Sequence, residues 1–333
     1  MSVLEKDTNR RSQARLSETE RKKVESVARF RSPVIYEVIR RQGREELHRP
    51  SVSLWVAGVA AGVVMGFSVV AESLLKSHLP DQSWAPLVEH LGYSLGFLIV
   101  IMARLQLFTE NTITAVLPIC AYPTMQNFLA VARLWTYVLL GNLIGTLMLA
   151  AFIRYSGALT PQDYTAFAEV SQKVLESSFG HALVGGMISG FLIACLVWLT
   201  PTAQAAEFWM VLVITYVIAL GGFSHVVVGS AEAWFVVING DAGFGHVFGG
   251  YVLAALIGNV LGGTGLFTLL AYTQVVGELD EESKQQTDEE DDEDEVEPQE
   301  DADEESDSES DDNSGSSTSK DKDRRRSREP SAA

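Results

Sequence analysis

The sequence predicts an all-α membrane protein with six transmembrane helices arranged as an inverted 3+3 repeat. Three observations predict it. Charge is segregated to the two ends of the chain, six apolar stretches are long enough to cross a bilayer, and a Gly-Asn motif recurs after each of two polar interruptions.

The chain has 333 residues and a formal net charge of −18. Thirteen of its 25 Lys and Arg residues lie in residues 1–50, five lie between 51 and 277, and 22 of its 43 acidic residues fall between Glu278 and Asp312. A long apolar body between two charged ends is a membrane composition. The expected organisation is a basic cytoplasmic segment (1–50), a six-helix membrane domain (51–276), and a disordered tail, acidic then basic (277–333). The first fifty residues lack the short apolar run of a cleaved signal peptide, so the first span is expected to direct its own insertion. Cys120 and Cys195 stand in apolar surroundings and read as small hydrophobes, not as a disulfide or thiolate site.

A spanning helix needs about 20 mostly apolar residues. The first span is expected over 52–75. The second starts near Leu87 and runs through LGYSLGFLIVIMA. The others are expected over 128–153, 182–199, 207–233 and 244–273. An even number places both termini on one side, and the basic N-terminal segment assigns that side to the cytoplasm. The chain is thus expected in a cell inner (plasma) membrane. Residues 155–179 read as an external segment. Small residues in the first and fourth spans, such as Gly58, Gly62, Gly66, Gly185, Gly186 and Gly190, suit close helix packing in lipid. Residues 33–47 have helical apolar spacing at Val34, Ile35, Val38 and Ile39, which predicts an interfacial or capping amphipathic helix.

Spans two and five are interrupted. The second meets Arg104 and then QLFTENTITAVLP; Arg104, Gln106, Glu110 and Asn111 are too polar for lipid contact. The fifth reads GGFSHVVVGSAEAW, placing Gly222, Ser224, His225 and Glu232 in an apolar stretch. Irregular backbone at membrane depth is tolerated where it faces protein or a water-filled cavity. LLGNLIGT follows the first break and LIGNVLGGT the second; Thr109 precedes Asn142 by 33 residues and His225 precedes Asn259 by 34. Three spans per half would turn the second half over in the membrane, as in transporters whose solute site lies between broken helices. Arg104 and Glu110 are expected to pair, since a buried charge needs a partner, or else Arg104 sits at the pore and favours anions. Glu232 and Asp241 are expected to be external or interfacial.

LGYSLGFLIVIMARLQLFTENT, RLWTYVLLGNLIG, GFLIACLVWL, GGFSHVVVGS and IGNVLGG, in this order, resemble the formate/nitrite transporter family over about 52–270. MARLQLFTENT with FSHVVVGS is most similar to its YfdC-like branch. The resemblance implies an aquaporin-like protomer, a homopentamer with one pore per protomer, and passage of small monovalent anions of weak acids. By position, Leu107, Phe108 and Thr109 match the Leu-Phe-Thr of the first interruption, His225 the pore histidine, and Asn259 the asparagine near it. Tyr93, Phe108 and Ile218 fall at the implied external constriction; Phe97, Leu107 and Ile193 fall at the cytoplasmic one. Lys173 lies within one residue of a vestibule lysine. The chain departs from the family at Arg104, Leu105 and Gln106, where Gly-Ala-Asp is common. It departs again at Gly190, where an asparagine is found, and at Ser224, where an acid is common.

A bare anion is costly in a narrow apolar slit, and protonation removes most of that cost. Histidine exchanges protons near neutral pH, which makes His225 the candidate proton carrier; Thr109 and Asn259 can hold it or the solute by hydrogen bonds. The expected partners are a small anion, a proton, the lipid bilayer and further copies of the chain. No cofactor and no nucleic acid are expected, and no nucleophile–base pair, phosphate loop or metal cluster points to an enzyme. The alternatives are a neutral-solute pore, against which stands the lack of paired Asn-Pro-Ala loops, and a non-transporting scaffold acting through its charged tails.

Overall fold

A computed structural model describes residues 31–278 of the chain. The expectations for the charged ends, 1–30 and 279–333, lie outside the described residues. Within them the regular structure is entirely helical, and five helices are long and apolar enough to cross a membrane. These are α2 (Ser51–His78), α3 (Ala85–Met102), α5 (Met125–Ser156), α7 (Phe179–Leu199) and α10 (Phe244–Glu278). The span expected over 207–233 is two 14-residue helices, α8 (Glu207–Leu220) and α9 (Val226–Asn239), each too short to cross alone. α3 is likewise followed, after an irregular loop, by the short α4 (Asn111–Ala121). The last helix passes through two π-helical stretches, Phe248–Val252 and Leu261–Thr268, a device that shifts the face a long helix presents.

α2 packs on α5, and α7 packs on α10, through small residues. A Cβ on Gly62 would collide with the backbone of Asn142, and one on Gly190 with that of Asn259. Backbones this close maximise dispersion contacts where lipid gives no hydrophobic drive. They also explain the departure at Gly190, because no asparagine side chain fits there.

Two helices flank this bundle. The amphipathic segment predicted at 33–47 is α1 (Ser32–His48), with Ile35, Tyr36, Ile39, Gly43 and Leu47 buried. It closes against the loop after α3: Gln106 Nε2 donates to Glu46 Oε2 at 2.9 Å. Arg133 Nη2 donates to the α1-terminal carbonyls of Leu47 (2.7 Å) and Arg49 (3.1 Å). The stretch expected as an external loop holds α6 (Pro161–Glu176), capped by Thr160 and burying Ala166, Phe167, Val170 and Val174. Its Thr-Pro start and apolar spacing are helix signals of the sequence that a search for apolar spans passes over.

Candidate functional site

Both interruptions are built by the same hydrogen bonds. α3 ends with Arg104 N–H donating to Ile101 O (3.1 Å) and Leu105 N–H to Val100 O (3.0 Å); α8 ends with Gly222 N–H to Ala219 O (3.0 Å) and Phe223 N–H to Ile218 O (3.0 Å). Each is a helix stop that requires a left-handed residue. Gly222 supplies it at φ 61°, and Arg104 at φ 54°, the one non-glycine residue with positive φ among the described residues.

An asparagine then pins each loop. Asn142 Oδ1 accepts from Phe108 N–H (2.9 Å) while its Nδ2 donates to Gln106 O (2.9 Å) and Gly58 O (2.8 Å). Asn259 Oδ1 accepts from Val226 N–H (2.9 Å) while its Nδ2 bonds Ser224 O (3.0 Å), Gly186 O (2.9 Å) and Ser189 Oγ (2.8 Å). The primary amide, with two donors and a two-lone-pair acceptor, satisfies backbone that the broken helices leave open. In these bonds Gln106 stands as Ser224 does, Leu107 as His225 and Phe108 as Val226. Motif spacing aligned Thr109 with His225, so that register is corrected by two residues.

Thr109 and His225 meet. Thr109 Oγ1 lies 2.8 Å from His225 Nε2, and both residues are buried. His225 Nδ1 accepts the Val228 N–H at 3.4 Å, capping α9. The Phe97 ring stands edge-on to the imidazole, 4.9 Å between centroids, and the Tyr93 ring lies beyond it, tilted, at 5.4 Å. Leu107, Ile193 and Ile218 are fully buried in the same core. Phe108 turns away, its ring on Trp135 of α5 at 5.7 Å.

Cavities open at both ends of this plug. The first, about 570 Å³, includes Tyr93, Ile218, His225, Lys173, Glu72, Glu232 and Tyr251 in its lining. The second, about 430 Å³, is lined on its polar side by Glu45, Glu46, Arg104, Gln106, Glu110 and Glu207. α3 runs from the first cavity at Tyr93 to the second at Ile101, whereas α8 runs from the second at Glu207 to the first at Leu220. The two helices therefore run in opposite directions past the plug. Phe97, Leu107, Ile193, Thr109 and Asn259 line neither cavity and sit within or beside the seal.

Several charges stand differently from expectation. Arg104 and Glu110 share the second cavity, but among the described residues no ion pair joins them within 4.0 Å; Arg104 is exposed to the cavity and its place is set by the helix stop. Glu232, expected to be external or interfacial, is 8% exposed and faces the first cavity. Lys173 does not stand free. Its Nζ lies 2.8 Å from Glu72 Oε1 and 3.6 Å from Glu89 Oε1, and His90 Nδ1 is 3.0 Å from the same Glu72 oxygen. Burial pulls the Lys173 pKa down, but the charge and hydrogen bond of Glu72, with the charges of Glu232 and Glu89, outweigh it and leave the ammonium above the ordinary lysine value. Glu72, Glu89 and His90 cluster closely enough to hold a metal ion, yet the lysine already answers their charge. Glu72, Glu89, His90 and Tyr251 were not singled out from sequence; a carboxylate near the end of an apolar span, as at Glu72, is the signal that was available.

Comparison with known proteins places this architecture. Residues 33–273 match the family model of the formate/nitrite transporters. The chain is 39% identical over 256 residues to the inner membrane protein YfdC of Escherichia coli K12, covering 77% of this chain and 83% of that one. It is 27% identical over 187 residues to the formate channel FocA of Haemophilus influenzae, covering 54% and 64% of the two chains. Among solved structures it resembles a pentameric formate channel with formate bound (TM-score 0.57, 19% identity, 68% of this chain and 97% of that one). It also resembles an FNT family ion channel (TM-score 0.58, 22% identity, 73% and 97%). The chain is a membrane protein of the formate/nitrite transporter family, in its YfdC-like branch.

Proposed function

We propose that the protein passes a small monovalent weak-acid anion of the formate or nitrite kind, together with a proton, through a pore within each protomer. The observation that carries this reading is the His225–Thr109 contact, 2.8 Å long, buried between two pinned helix breaks with a cavity on either side. A fully ionised solute would lose its hydration at Phe97, Leu107 and Ile193, which is costly; the neutral acid loses its hydration there at far lower cost. His225 is the hydrogen-bonding group at that seal, Thr109 orients it, and Asn259 holds the backbone that carries it. Tyr93 and Ile218 form the constriction on the Lys173 side. Arg104 and Glu110 flank the opposite mouth.

The wider arrangement belongs to the same proposal. Six crossings form an inverted 3+3 repeat, with α3–α4 and α8–α9 as the broken members; the opposed runs of α3 and α8 and the matched asparagine pins support it. The membrane domain spans residues 51–276, both termini face the cytoplasm of a cell inner membrane, and protomers assemble as a pentamer, as in the formate channel of similar fold.

The test is internal pH in liposomes holding the full chain, after formate or nitrite is added outside. His225→Phe fills similar space but cannot hydrogen-bond or exchange a proton, and should abolish acidification while assembly persists. His225→Asn keeps hydrogen bonding without titration, and should keep acidifying the interior, because the solute crosses the seal already protonated. Equal acidification by wild type and both variants would remove His225 from the mechanism. A silent, folded wild type would refute the weak-acid reading.

A further inference from the structure

Most charges around the first cavity already answer one another. Glu72 is 3% exposed and takes both the Lys173 ammonium (2.8 Å) and His90 (3.0 Å), and Glu89 adds a second carboxylate 3.6 Å from Lys173. The lysine is therefore matched and has no spare charge for an arriving anion. Glu232 stands apart. It is 8% exposed, lines the same cavity, and among the described residues has no hydrogen-bond or ion-pair partner for its carboxyl. A buried ionisable group without a partner is costly, and at membrane depth such groups mark ion and proton pathways.

His225 is differently placed. Its Nδ1 accepts the Val228 N–H, so the ring proton sits on Nε2 and is donated to Thr109 Oγ1. Both ring nitrogens are engaged, and a second proton on Nδ1 would expel the cap of α9. Glu232 lies seven residues further along α9, two turns on and on the same face. Val228 and Gly229 line the cavity between them, and the Tyr251 ring lies against Gly229. The remaining titratable groups around Glu232 are Glu72 on α2, His90 and Tyr93 on α3, Lys173 and Glu176 on α6, His181 on α7 and Tyr251 on α10.

We propose that Glu232 is the proton-exchange group of this cavity, receiving a proton from entering water and giving it to the weak-acid anion before the solute reaches His225. This rests on the transport reading above. In the step, the O–H bond of the Glu232 carboxyl breaks and a new O–H bond forms on the anion's oxygen. The solute moves on as the neutral acid, and the Glu232 carboxylate left behind is reprotonated by hydronium from the cavity mouth. No oxidant or other co-reactant is needed. Glu232 thus loads the proton, and His225, with both ring nitrogens engaged, keeps one protonation state as the neutral acid crosses the seal.

The experiment compares wild type, Glu232→Gln and Glu232→Asp, each as the full chain in liposomes, with formate as probe and internal pH as readout. Glu232→Gln should slow formate-driven acidification by about a hundredfold, the lower end of what a positioned acid contributes, and should flatten its dependence on external pH. Glu232→Asp should restore the pH dependence and most of the rate. Wild-type behaviour in Glu232→Gln, or equal loss in the Gln and Asp variants, would overturn the proposal. Infrared difference spectra on pH change give a readout that does not need transport: a carboxyl C=O band present in wild type should vanish in Glu232→Gln, and its persistence would also overturn the proposal. That band, found in a wild type that carries no formate, would uphold Glu232 as the exchange group while refuting the weak-acid reading.

Discussion

Arg104 carries a local conflict. Its polarity and its position after an apolar helix suggest a charge in need of a partner, but the backbone gives the stronger reason for attention. It adopts φ 54° at the stop where the other half of the chain uses Gly222. A left-handed conformation costs a residue with a Cβ roughly 1–2 kcal/mol, and glycine avoids that cost. Arg104→Gly is therefore expected to raise the unfolding midpoint in detergent, by about 1 kcal/mol in stability after the greater freedom of the unfolded chain is counted. A lower midpoint would show that the guanidinium makes a stabilising contact that outweighs the strain. The reciprocal change, Gly222→Ala, should destabilise by a similar amount.

At the scale of elements, the asparagine pins hold the two breaks open. Each side chain satisfies one backbone N–H and at least two carbonyls, all buried. A buried polar group deprived of its partner costs about 1–3 kcal/mol. Asn142→Ala and Asn259→Ala should each cost on the order of 3 kcal/mol by that measure, read as loss of unfolding free energy in detergent. Of the two, Asn259→Ala should also lower transport at matched protein level, because Asn259 carries the backbone of His225. A loss below about 1 kcal/mol in both would mean that water replaces the amides in those sites.

For the whole molecule, residues 33–273 contain the family match, and α1 is locked onto the second mouth through Glu46 and Arg133. Residues 279–333 are rich in Asp, Glu and Ser and poor in apolar side chains, so they have little surface to bury in a packed core. A chain ending at Glu278 is expected to keep both its oligomeric mass, by light scattering in detergent, and its basal flux. Removal of α1 as well should change the second mouth, since Gln106 then loses the Glu46 carboxylate. Loss of the oligomer on the first truncation would assign the acidic segment a structural role.

The sequence by itself determined that the chain is a helical membrane protein and which helices break. These are read from local quantities: apolar length, the cost of polar residues in lipid, and the backbone freedom of glycine. Tertiary structure decided the rest. It aligned Leu107 rather than Thr109 with His225, because hydrogen bonds and not residue counts set the match. It turned Phe108 onto Trp135, left Arg104 and Glu110 without an ion pair, tied Lys173 to Glu72, and brought Glu232 into the first cavity. Partners 18 to 101 residues apart, as in the Glu72–His90 and Lys173–Glu72 contacts, leave no local pattern in the chain. A charge's role depends on what it faces after packing, and only the folded arrangement fixes that.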